Sequence, residues 1–139
     1  MNDWNIKTIV LGYDGSSGAG RALDLVSTLA RKHDARVVVV NAYEMKSPDT
    51  DGYRWGAVRD AAQDTAQEAV AQLEAAGVAA QPQISDGAAG DVLLRVAESQ
   101  DADLIVVGRR GQGLLAELLL GSTSEYVVRR AKVPILVAH

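Results

Sequence analysis

The sequence predicts an α/β fold: one domain over residues 1–139, with a five-stranded parallel sheet of order 3-2-1-4-5 and helices on both faces. Three observations lead there. Aliphatic runs alternate with segments whose apolar residues recur at three and four, giving the order βαβαβαβαβ. The run Val37 to Val40 lacks the polar alternation of a strand with one wet face, so both of its faces should be covered. Phe is absent and aromatics make up only 4% of the chain, so the core must be Val, Leu, Ile and Ala, which suits aliphatic strands under Ala-rich helices. A length of 139 residues is the usual size of one domain and enough to bury a core without staples.

The elements follow in order. "KTIVLGYDGSSGAG" runs Ile9 to Leu11 as a strand, breaks at Gly12 and turns through Ser and Gly into a helix. From Ala19, the residues Ala22, Leu23, Val26, Leu29 and Ala30 mark its buried face, and His33 falls at its end. "ARVVVVNAYE" is the second strand. Lys46 to Gly56 carries Pro, Gly and Asp without apolar periodicity and reads as a mobile loop. Val58, Ala61, Ala62, Thr65, Ala66, Ala69, Val70 and Leu73 form the inner face of a longer second helix, with Gly77 in the C-terminal capping position. "VAAQPQIS" is the third strand, and Pro82, which removes a ladder donor, assigns it to a sheet edge. Gly90 to Gln100 is the third helix and "ADLIVVG" the fourth strand. "SEYVVRRA" is the fourth helix, with Ser122 and Glu125 at capping-box spacing, and "VPILVA" closes the sheet at the other edge behind Pro134. Right-handed crossovers wind this Rossmann-like sheet on both faces. Trp4 and Trp55 read as packing residues.

Composition narrows the function. With 18 acidic and 14 basic side chains, the net charge of −4 offers no field for a nucleic-acid backbone. The absence of Cys excludes disulfides, thiolate metal sites and Cys nucleophiles, and fits a reducing compartment. "MNDWNIKT" lacks the pattern of a signal peptide, and no apolar run nears the roughly 20 residues of a membrane span. These features point to a cytoplasmic protein with no membrane or nucleic-acid partner. Asp49 and Asp51 lie in the loop as solvated charges, and no metal site is expected.

In a sheet of this order, ligands sit beyond the carboxyl ends of strands one and four, where the winding reverses. The chain concentrates its glycines and small polar residues there. Strand one ends at "GYDGS" and strand four at "VGRRG", setting Asp14 opposite Gly108 and Gly111. Glycines permit tight turns and let backbone amides approach a bulky anion. Gly121, Ser122, Thr123 and Ser124 stand at the start of the fourth helix, whose free N–H groups and dipole suit a phosphate, with hydroxyls as further donors. Asp14 would repel phosphate, so it suits a ribose hydroxyl or a base donor. Arg109 and Arg110 read equally as phosphate contacts or as a solvated pair. Sugar at strand one and phosphate at helix four describe a nucleotide.

The spacing of Gly108, two residues, Gly111, nine residues, and Gly121-Ser122 resembles the ATP-binding signature of the universal stress protein family. The similarity runs nearly end to end, through "VLGYDGS", "VVVNAYE", "DADLIVVGRRG" and "VPILVAH". The resemblance implies that Gly12, Tyr13 and Asp14 meet adenine and ribose and that Ala42 offers the strand-two backbone to the adenine. It further implies that Val107, Gly108, Arg110 and Gly111 form the glycine turn, while Gly121, Ser122, Thr123 and Ser124 wrap the phosphates. ATP is the implied ligand, with Mg2+ carried on its phosphates, and a homodimer through the last strand, Val133 to His139, is the implied assembly. Two departures stand out: Asn41 replaces a common His, and "DGAAGD" lacks a common Pro. "GRRGQG" has no Walker lysine, and no general base is evident, so at most slow ATP hydrolysis is expected. The competing readings are a weak ATPase or adenylyl-transfer enzyme, and a dimerisation module that no longer binds nucleotide. A phosphoacceptor domain would need an acidic cluster that Asp14 alone does not supply.

Overall fold

The computed structural model describes residues 4–44, 52–109 and 122–139, with the backbone alone for 52–55. The chain forms β1 (Thr8–Gly12), α1 (Ser17–His33), β2 (Arg36–Tyr43), α2 (Gly52–Ala75), β3 (Ala80–Asp86), α3 (Ala89–Ser99), β4 (Leu104–Gly108), α4 (Ser122–Arg130) and β5 (Ile135–Ala138). The five strands make one parallel sheet in the order β3-β2-β1-β4-β5, as the sequence predicts.

Strand alternation divides the core in two. Ile9 and Leu11 of β1, Val37 and Val39 of β2, and Leu104 and Val106 of β4 face one cluster with α1 and α2. Val10, Val38, Val40, Ile105 and Val107 face the other, with α3 and α4. The four valines of β2 are each at most 2% exposed, so both faces are covered as expected. Each fully buried aliphatic side chain stabilises the fold by about 1.5–3 kcal/mol relative to its exposed state.

Capping sets the helix ends. Ser16 caps α1 by accepting a hydrogen bond from the Ala19 amide at 3.2 Å, and Asp34 ends that helix in the left-handed region with φ 53°. Past α2, Gly77 takes φ +85°, and the Val78 amide bonds back to the Leu73 carbonyl at 2.9 Å, the pattern of a glycine-terminated helix.

Several expectations need correction. Residues 52–56, read from composition as loop, are the first turns of α2; the rest of that expected loop lies outside the described residues. Val58 and Ala61 are exposed, so the buried face of α2 begins at Ala62. Trp4 is 72% exposed and does not pack in the core. The Trp55 side chain lies outside the description. Glu125 extends forward to Arg129 at 2.8 Å, an i,i+4 pair, where a capping box would turn it back toward Ser122.

Candidate functional site

Beyond the carboxyl ends of β1 and β4, where the winding reverses, a cavity of about 270 Å³ opens between the two helical layers. Of the residues singled out from sequence, Gly12, Tyr13, Asp14, Ala42, Val107, Gly108, Thr123 and Ser124 all line it. Ser122 is the exposed first residue of α4 and is not part of the lining. Arg110, Gly111 and Gly121 lie outside the described residues, as do Asp49 and Asp51.

The β1 end is built by a tight turn. The Tyr13 amide donates to the Val40 carbonyl at 3.0 Å, which carries the chain past the last residue of β1 and buries the Tyr13 ring. Burial, then the carboxylates of Glu68 and Asp14, raise the Tyr13 phenol above its ordinary pKa, so it stays neutral at physiological pH. Asp14 is exposed. Its Oδ1 accepts the Ser16 amide at 3.0 Å, which turns the chain into the α1 cap and leaves the carboxylate at the cavity rim.

The β4 end shows why two of the glycines are there. A Cβ at Gly108 would lie 2.3 Å from the carbonyl carbon and oxygen of Gly18, and a Cβ at Gly18 would lie 2.3 Å from the Arg109 carbonyl oxygen. The first turn of α1 therefore packs backbone to backbone against the end of β4. Gly108 does border the cavity, but its missing side chain makes room for α1. The Arg109 amide donates to Ala138 at 2.7 Å, and an Arg109 guanidinium nitrogen lies 3.4 Å from Nδ1 of the exposed His139.

Ser124, 2% exposed, donates its hydroxyl to the Gly108 carbonyl at 3.0 Å. In this arrangement its hydroxyl proton ties α4 to β4, while Ser16 and Thr123 bring further hydroxyls to the lining. The α4 N-terminus still faces the cavity with its dipole.

Asn41, noted from sequence beside Ala42, also lines the cavity, and sequence reasoning missed Ser16, Ala19, Val40, Ala89 and Leu93, which complete the walls. Val40, Leu93 and Val107 give an apolar lining suited to a flat ring, while Asp14, Ser16 and Thr123 bring polar atoms toward the mouth. Ser16 was legible as a helix cap. Ala89 and Leu93 carried no local signal, because their part depends on where α3 crosses the sheet. Among the described residues there is no cluster of three or more His, Asp or Glu side chains able to hold a metal ion, and no helix long and apolar enough to cross a membrane.

Comparison with known proteins matches this architecture. The sequence pattern of the Universal stress protein family matches residues 5–139. A universal stress protein from Thermus aquaticus, described as lying in the QAH/OAS sulfhydrylase 3′ region, is 37% identical over 96% of this chain and 98% of its own length. The crystal structure of a universal stress protein in complex with cAMP is 31% identical with a TM-score of 0.76, covering 97% of this chain and 98% of that one. An Archaeoglobus fulgidus universal stress protein in complex with dAMP shares the fold, with a TM-score of 0.73 at 21% identity, covering 99% of this chain and 100% of that one. With a family pattern over nearly the whole chain and the same doubly covered sheet, the chain belongs to the universal stress protein family.

Proposed function

We propose that this protein binds ATP in the cavity beyond β1 and β4 and acts as a nucleotide-dependent regulator in the stress response. One observation carries the reading: the cavity joins an apolar slot, walled by Val40, Leu93 and Val107, to the N-terminus of α4. The slot suits adenine, the carboxylate of Asp14 suits ribose hydroxyls, and a helix N-terminus suits phosphate. At about 270 Å³ the cavity approaches the small end of ligand pockets and fits a nucleoside portion. In this reading the phosphates extend toward Arg110, Gly111, Gly121 and Ser122, with Mg2+ held on the phosphates. The cAMP and dAMP complexes of two relatives support adenine-nucleotide chemistry. The protein is cytoplasmic in this reading, pairs as a homodimer through Val133 to His139, and at most hydrolyses ATP slowly.

The test is calorimetric titration of nucleotide-stripped protein with ATP and Mg2+, run beside Gly111→Val. The expected result is binding of about micromolar Kd, weakened at least about tenfold in the variant. No binding heat with the native chain overturns the reading and favours a dimerisation module.

A further inference from the structure

Tyr126 lies on α4 one turn after the cavity-lining Thr123, on the face turned toward α3. Three contacts hold it. Its ring rests so closely on Gly90 that a Cβ built there would come within 2.5 Å of the Tyr126 Cδ1. Its hydroxyl donates to Oδ1 of Asp91. The Arg130 guanidinium covers the ring 3.9 Å from its centroid. The first half of α4 is thus pinned at two points, to β4 by Ser124 and to α3 by Tyr126.

These pins sit directly behind the cavity. Ala89 and Leu93 of α3 form one wall, and Thr123 and Ser124 of α4 form the facing one. Gly90, Asp91 and Tyr126 are outside the lining but join those two walls. Any slackening of the Tyr126 contact would let the α4 N-terminus move relative to α3, and hydrogen bonding to an anion is lost steeply with misplacement.

We infer that Tyr126, seated on Gly90 and bonded to Asp91, is a positioning residue that sets the spacing between α3 and α4 for a bound nucleoside phosphate. The inference rests on the nucleotide reading above. Tyr126 touches no ligand in it and acts through the placement of Thr123 and the α4 amides. The hydrogen bond to Asp91 is also the main cause that raises the Tyr126 phenol above its ordinary pKa, with burial and the Asp91 charge adding and Arg130 opposing.

The test titrates ATP and AMP separately into the full chain and its variants, with thermal melts of the nucleotide-free proteins alongside. Tyr126→Phe keeps the ring on Gly90 and removes only the hydroxyl. It is expected to bind both nucleotides about three- to tenfold more weakly, while its melting temperature stays within about 4 °C of native. Asp91→Ala and Asp91→Asn both remove the charge, and only Asn keeps an oxygen acceptor, so the difference between them reads the hydrogen bond. Asp91→Asn should bind more tightly than Asp91→Ala, and Tyr126→Phe combined with Asp91→Ala should lose no more than the weaker single variant. Native affinity in Tyr126→Phe, or strictly additive losses, overturns the inference while leaving the nucleotide reading intact. A native chain that binds neither nucleotide overturns both.

Discussion

At Gly18 and Gly108 there is room for a hydrogen and nothing larger. A Cβ at either would sit 2.3 Å from the backbone of the other segment, and backbone cannot swing aside as a flexible side chain can. Gly18→Ala should therefore destabilise the protein by about 1–3 kcal/mol through overpacking, even though alanine is the better helix former. Gly20, two residues on in the same helix, provides the control: nothing lies within 4 Å of its Cβ position. Gly20→Ala should stabilise by about 0.5–1 kcal/mol, so thermal melts of the two variants should move in opposite directions. Equal shifts of the same sign would show that the close approach is not felt. From sequence, Gly108 was legible as part of the site because it ends an aliphatic run. Its true neighbour was not legible, since Gly18 lies 90 positions away and a backbone contact between distant segments leaves no local pattern.

α4 is the element on which site geometry depends most. Among the described residues, its first turn is held to β4 by a buried hydroxyl, Ser124 on the Gly108 carbonyl at 3.0 Å. Ser124→Ala should cost about 1 kcal/mol of stability, read by denaturant melts, and should weaken ATP binding measured by calorimetry. An unchanged ATP affinity would mean that α4 is placed without this bond. The sequence showed a small hydroxyl at a helix start, and the same residue type serves equally as ligand donor and as tether. Only the position of the Gly108 carbonyl reveals the tether. Element identity was otherwise well legible: the four valines of β2, the repeat in α1 and Pro82 in β3 each signalled their place. α2 shows where periodicity misleads. Its 24 residues span roughly 36 Å at a rise of about 1.5 Å, whereas the eight residues of β2 span roughly 26 Å. The helix outruns the strand beside it, so Val58 continues an apolar spacing with no sheet beneath it and stays exposed.

For the molecule as a whole, the two edges of the sheet are not equivalent. On β3, the Ala79 carbonyl bonds to Val37 and the Gly87 amide bonds to Tyr43, so odd-numbered residues turn their backbone toward β2 and even-numbered ones toward the outer edge. Pro82 is therefore an outward position that has no donor to offer, a common way to blunt a sheet edge. On β5, the carbonyls of Pro134 and Ala138 bond to Ile105 and Arg109, which leaves the backbones of Ile135 and Val137 facing outward. No proline interrupts Ile135 to Ala138, and no described residue pairs with that edge. Strand addition should therefore occur at β5 and not at β3, consistent with the dimer proposed above. Val137→Pro copies onto β5 the device that β3 already carries: it deletes an outward donor while leaving the bonds to β4 in place. Light scattering at micromolar concentration should give twice the 14.7 kDa chain mass for the native protein and the single-chain mass for Val137→Pro, with the circular dichroism of the two alike. A native monomer would refute pairing through β5. A Val137→Pro variant that remains dimeric would place the interface elsewhere on the surface.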